Sequence, residues 1–565
     1  MRTPTGLWSR GMAIAATAIA LLVLNTLLAH GNGWPTLWPA LEWRLAPELA
    51  PLTMLVAAWV GLAGPLPRWL ARALATLGTL WVVLHYIDVT VPAILGRRVN
   101  AYWDAPHLGA VIRMGGSEGA WPRVALTLAA AVLVLALLYL VVRACIGALG
   151  RAAAQRPART LMLGFATLTV ALWLAQSSTG RPPVSMFAPT VSAMLAEQYR
   201  LLDAALSRGA SAERLGPGPR FAGTLDALDG ADVLLVFGEA YGAVTLDRAD
   251  IATKLAAPRE RLATAIASSG RAVVSARVVS PTFGGASWLT HASLLSGLDM
   301  RDPTDYQLLL TTDRPTLVRH FAANGYRTVS WMPGLQKPWP EGAFYGFDRY
   351  GNADSIGYGG RPFGFWRIPD QASMALIHAQ EFGLGFGAGG EGKPQAGQVR
   401  NDPLRPDSPS DARQPRLVVF PTVTTHAPFR ALPPFRAEWS TLLGREAFTQ
   451  AEVDAAEAVP TDWSAPLPAY LASIRYQFTW LADYLARHAP ENLVLILIGD
   501  HQPIGSVTGP DQPWDVPVHV IARNAALLKR LEAAGFVPGL HPRGAPLGPM
   551  HALTPIFIDA FDGSD

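Results

Sequence analysis

Five apolar stretches crowd into the first third of the chain. Residues 12–28 carry no charge, and similar runs cover 50–66, 73–95, 124–142 and 161–175, the third interrupted by His85 and Asp88. A helix needs about 20 mostly apolar residues to cross a bilayer. One such run can be a buried core helix, but five in succession predict a transmembrane domain of five helices over 1–178. The first run is too long for a signal-peptide core and more spans follow, so it reads as a retained helix. Half of the 565 residues are hydrophobic. That excess sits in the first third, so a soluble part must follow it.

The arginines orient the bundle. Arg2 and Arg10 precede the first run, Arg68 and Arg72 separate the second from the third, and Arg143, Arg151, Arg156 and Arg159 separate the fourth from the fifth. Positively charged loops stay in the cytoplasm. Arg97, Arg98, Arg113 and Arg123 then fall on the outer side, against the rule. Five spans and an inside N-terminus place everything after about residue 178 outside the cytoplasm, as in a multi-pass bacterial inner-membrane protein. The sole cysteine, Cys145, excludes an intramolecular disulfide and a thiolate metal cluster. A net charge of +3, without a basic stripe interleaved with aromatics, excludes nucleic acid as a partner.

Residues 179–228 read as a juxtamembrane linker, with an amphipathic helix over 186–206 and a Gly/Pro-rich stretch over 215–223. From 229 to the end the pattern changes. ADVLLVFGE, beginning at Ala231, is a short apolar run ending in polar residues, which reads as a buried parallel strand. Similar runs lie at 271–279, 327–331, 416–420, 492–498 and 516–521, with helical patterns such as 317–324 and 470–488 between them. Strands alternating with helices predict an α/β domain, a mostly parallel sheet with helices on both faces. Residues 387–414, rich in Gly, Pro and Asp, read as a surface insertion.

Sites in open α/β sheets form at the carboxyl ends of strands, and four polar clusters stand at such ends. Glu239 follows VLLVFG, and Asp500 and His501 end NLVLILIGDHQP. A carboxylate and an imidazole at one strand end suit Zn²⁺ or Mn²⁺, although a capped turn would carry the same residues. Ser287 follows Gly284 and Gly285 and opens a helical run. A helix start offers amide donors to a phosphate or sulfate, and an ordinary serine cap is the plainer reading. His426 lies in VVFPTVTTHAPF.

Together these clusters, over about 231–524, resemble the alkaline phosphatase and sulfatase superfamily. The resemblance implies an alkaline phosphatase-like domain in which Glu239, Ser287, Asp500 and His501 ligate one divalent metal, Zn²⁺ or Mn²⁺, and Ser287 is the nucleophile. SWLTHASLLSG, residues 287–297, aligns Ala292, Leu294, Leu295 and Gly297 with the sulfatase signature, but Leu289 and His291 stand where that signature has Pro and Arg. Serine is then expected to remain serine. The membrane bundle, THAPF and the 325–348 region resemble the lipoteichoic acid synthase, phosphoglycerol transferase and phosphoethanolamine transferase branch. There the histidine matching His426 lines the substrate site, and a tryptophan and a basic residue hold the head group, roles that carry over to Trp339 and Lys337. His291, one helical turn from Ser287, is expected to touch the transferred group, or else to be a packed histidine. The family implies transfer of a phospholipid head group, from a membrane phospholipid donor to an envelope glycan or lipid acceptor, through a phosphoserine intermediate; the chain is expected to act as a monomer. His426 is expected to protonate the leaving group, and His551 is a spare ligand candidate. A phosphoester, phosphodiester or sulfate-ester hydrolase of the same fold and an inactive membrane sensor are the alternatives.

Overall fold

A computed structural model describes residues 5–33, 37–95, 99, 101–105, 109, 121–178, 186–206, 212–336, 339–386, 414–463, 465–510 and 512–563. The chain forms two compact units, Met1–Leu206 and Ser207–Asp565.

The first unit is helical: α1 (Thr5–Ala29), α2 (Leu49–Ala63), α3 (Arg68–Leu95), α4 (Trp121–Ala153), α5 (Arg156–Ser178) and α6 (Val191–Leu206). Four of these contain segments long and apolar enough to cross a membrane: Gly11–Ala29, Arg68–Ile94, Ala125–Ala153 and Arg156–Gln176. The apolar run read over 50–66 gives a shorter helix. α2 has 15 residues and stops at Ala63, because Gly64 takes φ 90° and Pro65 follows. Leu126, Leu128, Val132, Leu133 and Leu137 of α4 are exposed, which a helix tolerates where its surroundings are lipid.

The segment read as a linker divides between the units. Phe187, Ala188 and Val191 are buried in the first, whereas Leu225 and Leu228 join the core of the second. Apolar side chains, rather than a run of Gly and Pro, decide where each part of it belongs.

The second unit is built on an eight-stranded sheet: β1 (Asp232–Gly238), β2 (Ala272–Val279), β3 (Arg327–Met332), β4 (Arg349–Asn352), β5 (Arg416–Pro421), β6 (Leu493–Gly499), β7 (Asp515–Ala522) and β8 (Val537–Pro538), in the order β8-β2-β7-β6-β1-β5-β3-β4. β6, β1, β5, β3 and β4 run parallel, while β7 is antiparallel to both β6 and β2. The six apolar runs are all strands, and β4 and β8 are additional short edges. Both sheet faces are covered, which explains why the strands read as continuous apolar runs rather than alternating ones. On one face Val233, Leu235, Phe237, Ile496 and Ile498 pack with Leu289, Leu294 and Leu295 of α8 (Ser287–Ser296), the helix that follows α7 (Ala249–Ser268) and β2 in the chain. On the other, Phe420 of β5 meets Trp480, and Tyr241 meets Phe478, both from α10 (Leu467–Arg487). α9 (Asp370–Gln380) lies between α8 and α10 in the chain and is almost wholly buried.

Candidate metal and nucleophile centre

β1 and β6 are neighbours, paired in register from Asp232↔Leu493 to Gly238↔Gly499. The residues that follow, Glu239 and Asp500, therefore leave the sheet side by side. Gly499 is required there, since a Cβ at that position would lie 1.9 Å from the Tyr241 carbonyl oxygen. Ser287 arrives from the other side of β7. Gly284 at φ 64°, Gly285 at φ 144° and Ala286 at φ 63° turn the chain sharply into α8, and Ala286 offers the first turn no side-chain cap. Uncapped amides and the positive helix end favour an anion.

The four residues meet. The Ser287 hydroxyl donates to Glu239 Oε2 at 3.1 Å and lies 3.1 Å from His501 Nε2. His501 Nε2 is 3.5 Å from Glu239 Oε1 and 3.6 Å from Asp500 Oδ2. His501 Nδ1 faces the Gln502 carbonyl at 2.8 Å and must donate to it, which leaves Nε2 as the ring atom free to ligate a cation beside the two carboxylates. Three electron-rich atoms converging in a buried space call for a cation between them. Ligand atoms of Glu239, Asp500 and His501 all lie within 4.8 Å of one another, the one such group among the described residues. Two oxygens, one imidazole nitrogen and an adjacent hydroxyl fit Zn²⁺ or Mn²⁺. Burial and the charge of Asp500 push the Glu239 carboxyl well above the usual carboxylate range, the strain a cation would relieve.

A second layer holds these groups. Asp500 Oδ1 accepts the amides of Ala240 at 2.8 Å and His501 at 2.6 Å. The Asp500 carbonyl accepts the hydroxyls of Ser280 at 2.5 Å and Thr290 at 3.0 Å, and the Glu239 amide donates to Thr422 Oγ1 at 3.0 Å. Five described non-glycine residues have left-handed φ, and Ala240, Ala286 and Arg367 adjoin Glu239, Ser287 and Trp366, while Phe429 follows His426 by three. Such strain gathers where surrounding contacts fix the backbone for function.

His291 and His426 both flank the centre closely enough to feel the charges of Asp500 and His501. The His291 ring packs 4.2 Å from that of Phe237, and its buried Nε2 has no hydrogen-bond partner among the described residues. Burial lowers its pKa to about 4. His426 is also lowered to about 4 by burial, with Nδ1 against the Ala427 carbonyl at 2.7 Å. It is neutral at pH 7 and lacks the proton expected of a general acid. What it offers is an acceptor, Nε2.

Trp339 packs instead against Tyr345 and Tyr350, with ring centroids 5.5 and 6.3 Å away, at the margin of the apolar core. Lys337 lies outside the described residues. His551 feels Asp299 and Arg301 and does not join the three-ligand group. The tryptophan beside the site is Trp366, whose ring lies 4.4 Å from His426. The only sequence signal for it was an aromatic-aromatic-basic run, Phe365-Trp366-Arg367, following Gly364. Asp370, fully buried, accepts the amides of Val423 at 2.7 Å and Thr424 at 3.0 Å and so holds the loop that carries His426.

No family model and no curated protein matches the sequence. Among solved structures, the chain is similar to the lipoteichoic acid synthase LtaP from Listeria monocytogenes, at 11% identity and a TM-score of 0.33, over 64% of this chain and 81% of that one. It is also similar to a protein in the alkaline phosphatase superfamily from Vibrio parahaemolyticus, at 13% identity and a TM-score of 0.31, over 57% of this chain and 67% of that one.

Proposed function

We propose that the protein transfers a phospholipid head group, of the phosphoglycerol or phosphoethanolamine type, to an envelope glycan or lipid through a covalent Ser287 intermediate. The observation that carries this reading is the meeting of the Ser287 hydroxyl with Glu239, Asp500 and His501 at the uncapped start of α8.

Glu239, Asp500 and His501 would hold one divalent cation. Bound there, it supplies a lowered pKa for the Ser287 hydroxyl, whose proton passes to solvent, and neutralises charge on the phosphate. Ser287 Oγ attacks phosphorus: the Oγ–P bond forms, and the bond from phosphorus to the lipid glycerol oxygen breaks. The departing diacylglycerol oxygen takes a proton from water. The α8 amides orient the phosphate oxygens. An acceptor hydroxyl then displaces Ser287, and its proton goes to His426 Nε2, the neutral base of the site. Trp366 and His291 line the space around the transferred group.

Four long apolar helices support a membrane setting, where such a donor is at hand. Orientation follows from charge. Arg2, Arg10, Arg68, Arg72, Arg143, Arg151, Arg156 and Arg159 all fall in the cytoplasm only if α2 also crosses, an arrangement that would leave the second unit outside the bacterial inner membrane. Reporter fusions after residue 178 and at the C-terminus should be active only outside the cytoplasm; activity on the other side overturns the orientation.

The test of the chemistry is Ser287→Ala in the full-length protein. It should lower phosphodiester turnover by about 10³-fold or more, while a trapped phosphoryl adduct in the wild type maps to Ser287. Near-normal turnover, or an adduct on Thr282 or Thr290, refutes the assignment. Elemental analysis should find close to one equivalent of zinc or manganese, and a value near two would mean a second ligand set.

A further inference from the structure

The membrane unit contains a cleft of about 480 Å³, within the roughly 300–1,000 Å³ of small-molecule sites. Its walls are Leu28 at the end of α1, Leu52 and Leu55 of α2, Leu77 and Trp81 of α3, and Trp173 of α5. Apart from Thr169 within α5, its polar members come from one place in the fold. Glu48 directly precedes α2, and Thr190 and Ser192 flank the start of α6. Glu48 Oε1 accepts the Val191 amide at 2.8 Å, which ties these two helix starts together as a fixed lip.

We propose that this cleft binds one acyl chain of a membrane phospholipid, with the lipid's polar end at the Glu48–Thr190–Ser192 lip. Away from the Glu48–Thr190–Ser192 lip the lining is apolar save for Thr169, which matches an amphiphile and gives water few partners. The helices that wall it include three long and apolar enough to cross a membrane, so the medium that reaches it is lipid. A partner helix is too large: at about 10 Å across, one 5.4 Å turn fills roughly 400 Å³, so the cleft would take little more than a single turn. An acyl chain is narrow enough to lie along it.

The proposal stands apart from the reading of Ser287, and the Ser287→Ala protein should bind lipid as the wild type does. The experiment is native mass spectrometry of the full-length protein in detergent with added dioleoyl phosphatidylglycerol. One lipid should be retained per chain. Leu55→Trp with Leu77→Trp, which fills the cleft, should cut retention at least tenfold, whereas Leu133→Trp, on the exposed face of α4, should not. Glycerophosphoglycerol, which lacks acyl chains, should not compete. Equal retention in the filled variant, occupancy by detergent only, or competition by the chainless head group would each overturn the proposal. Should the filled variant fail to fold, wild-type protein with a lipid carrying a diazirine at the chain end decides the matter. Adducts should concentrate on residues 52–55 and 74–81 over residues 126–140, and uniform labelling refutes the site.

Discussion

His519 should make the second unit acid-sensitive by an amount the structure sets. It lies in β7, fully buried, between two partners. Ser275 Oγ, 2.6 Å from Nδ1, gives its own proton to the Gly539 carbonyl at 2.5 Å, so it must accept from Nδ1–H. The Tyr241 hydroxyl, 3.0 Å from Nε2, then donates to the ring. The neutral imidazole is saturated and has no room for a second proton. Burial, with Arg259 and His541 adding to it, lowers the pKa to about 3. A base whose folded pKa lies below its unfolded value of about 6.5 is no burden above pH 6.5 and costs stability as pH falls towards the folded value. At pH 5 the cost is about 1.36 kcal/mol times 1.5 pH units, or about 2 kcal/mol, rising to about 4 kcal/mol at pH 3. His519→Gln should be less stable than wild type at pH 7.5, having lost the paired ring, yet lose about 2 kcal/mol less between pH 7.5 and pH 5. Urea titration of the full-length protein, read by pulse proteolysis within residues 207–565, measures both. The remaining buried histidines are common to the two proteins and cancel. Equal pH slopes for wild type and variant would refute the reasoning.

Three further outcomes are expected. Gly499→Ala should prevent folded expression, because its Cβ would lie 1.9 Å from the Tyr241 carbonyl oxygen; a normal yield of monodisperse protein would contradict the register at the site. Asp370→Asn should leave one of two buried amides unpaired, costing about 1–3 kcal/mol and lowering kcat through a looser His426 loop, while Ser287 can still be labelled; unchanged kcat and melting temperature would refute that role. Ala286→Gly should relieve the left-handed strain at φ 63° and raise stability by about 0.5–1 kcal/mol, with slower labelling of Ser287 because the turn into α8 is less fixed; a lower melting temperature would show the strain to be absent.

The centre was legible where local pattern implies position. Glu239, Asp500 and His501 end apolar runs, and in a parallel sheet such ends share one edge. What was not legible depends on which strands are neighbours. An apolar run does not state its direction, so β7 gave no sign of running antiparallel, and nothing in the sequence ties Tyr241 to Ser275 and His519. The same holds for Trp366 and Asp370, which reach the centre only because β5 lies beside β1 and brings the 422–426 loop to them. Trp339 was favoured by its place in a recognisable stretch, and its neighbours turned out to be Tyr345 and Tyr350. The proton state of His426 was likewise out of reach, since burial sets it.

α2 carries one more consequence. At 1.5 Å per residue its 15 residues span about 22 Å, some 8 Å less than the hydrocarbon thickness of a typical bilayer of about 30 Å. If α2 crosses, as the proposed orientation requires, so short a helix would pull the bilayer surface inward around itself, at a cost of a fraction of a kcal/mol per ångström of mismatch. The dent would fall beside α2, whose Leu52 and Leu55 line the cleft, so lipids there would stand with their head groups displaced from the plane of their neighbours. Bilayer thickness, a property of the surrounding membrane rather than of the protein, would then bear on which lipids reach the proposed site.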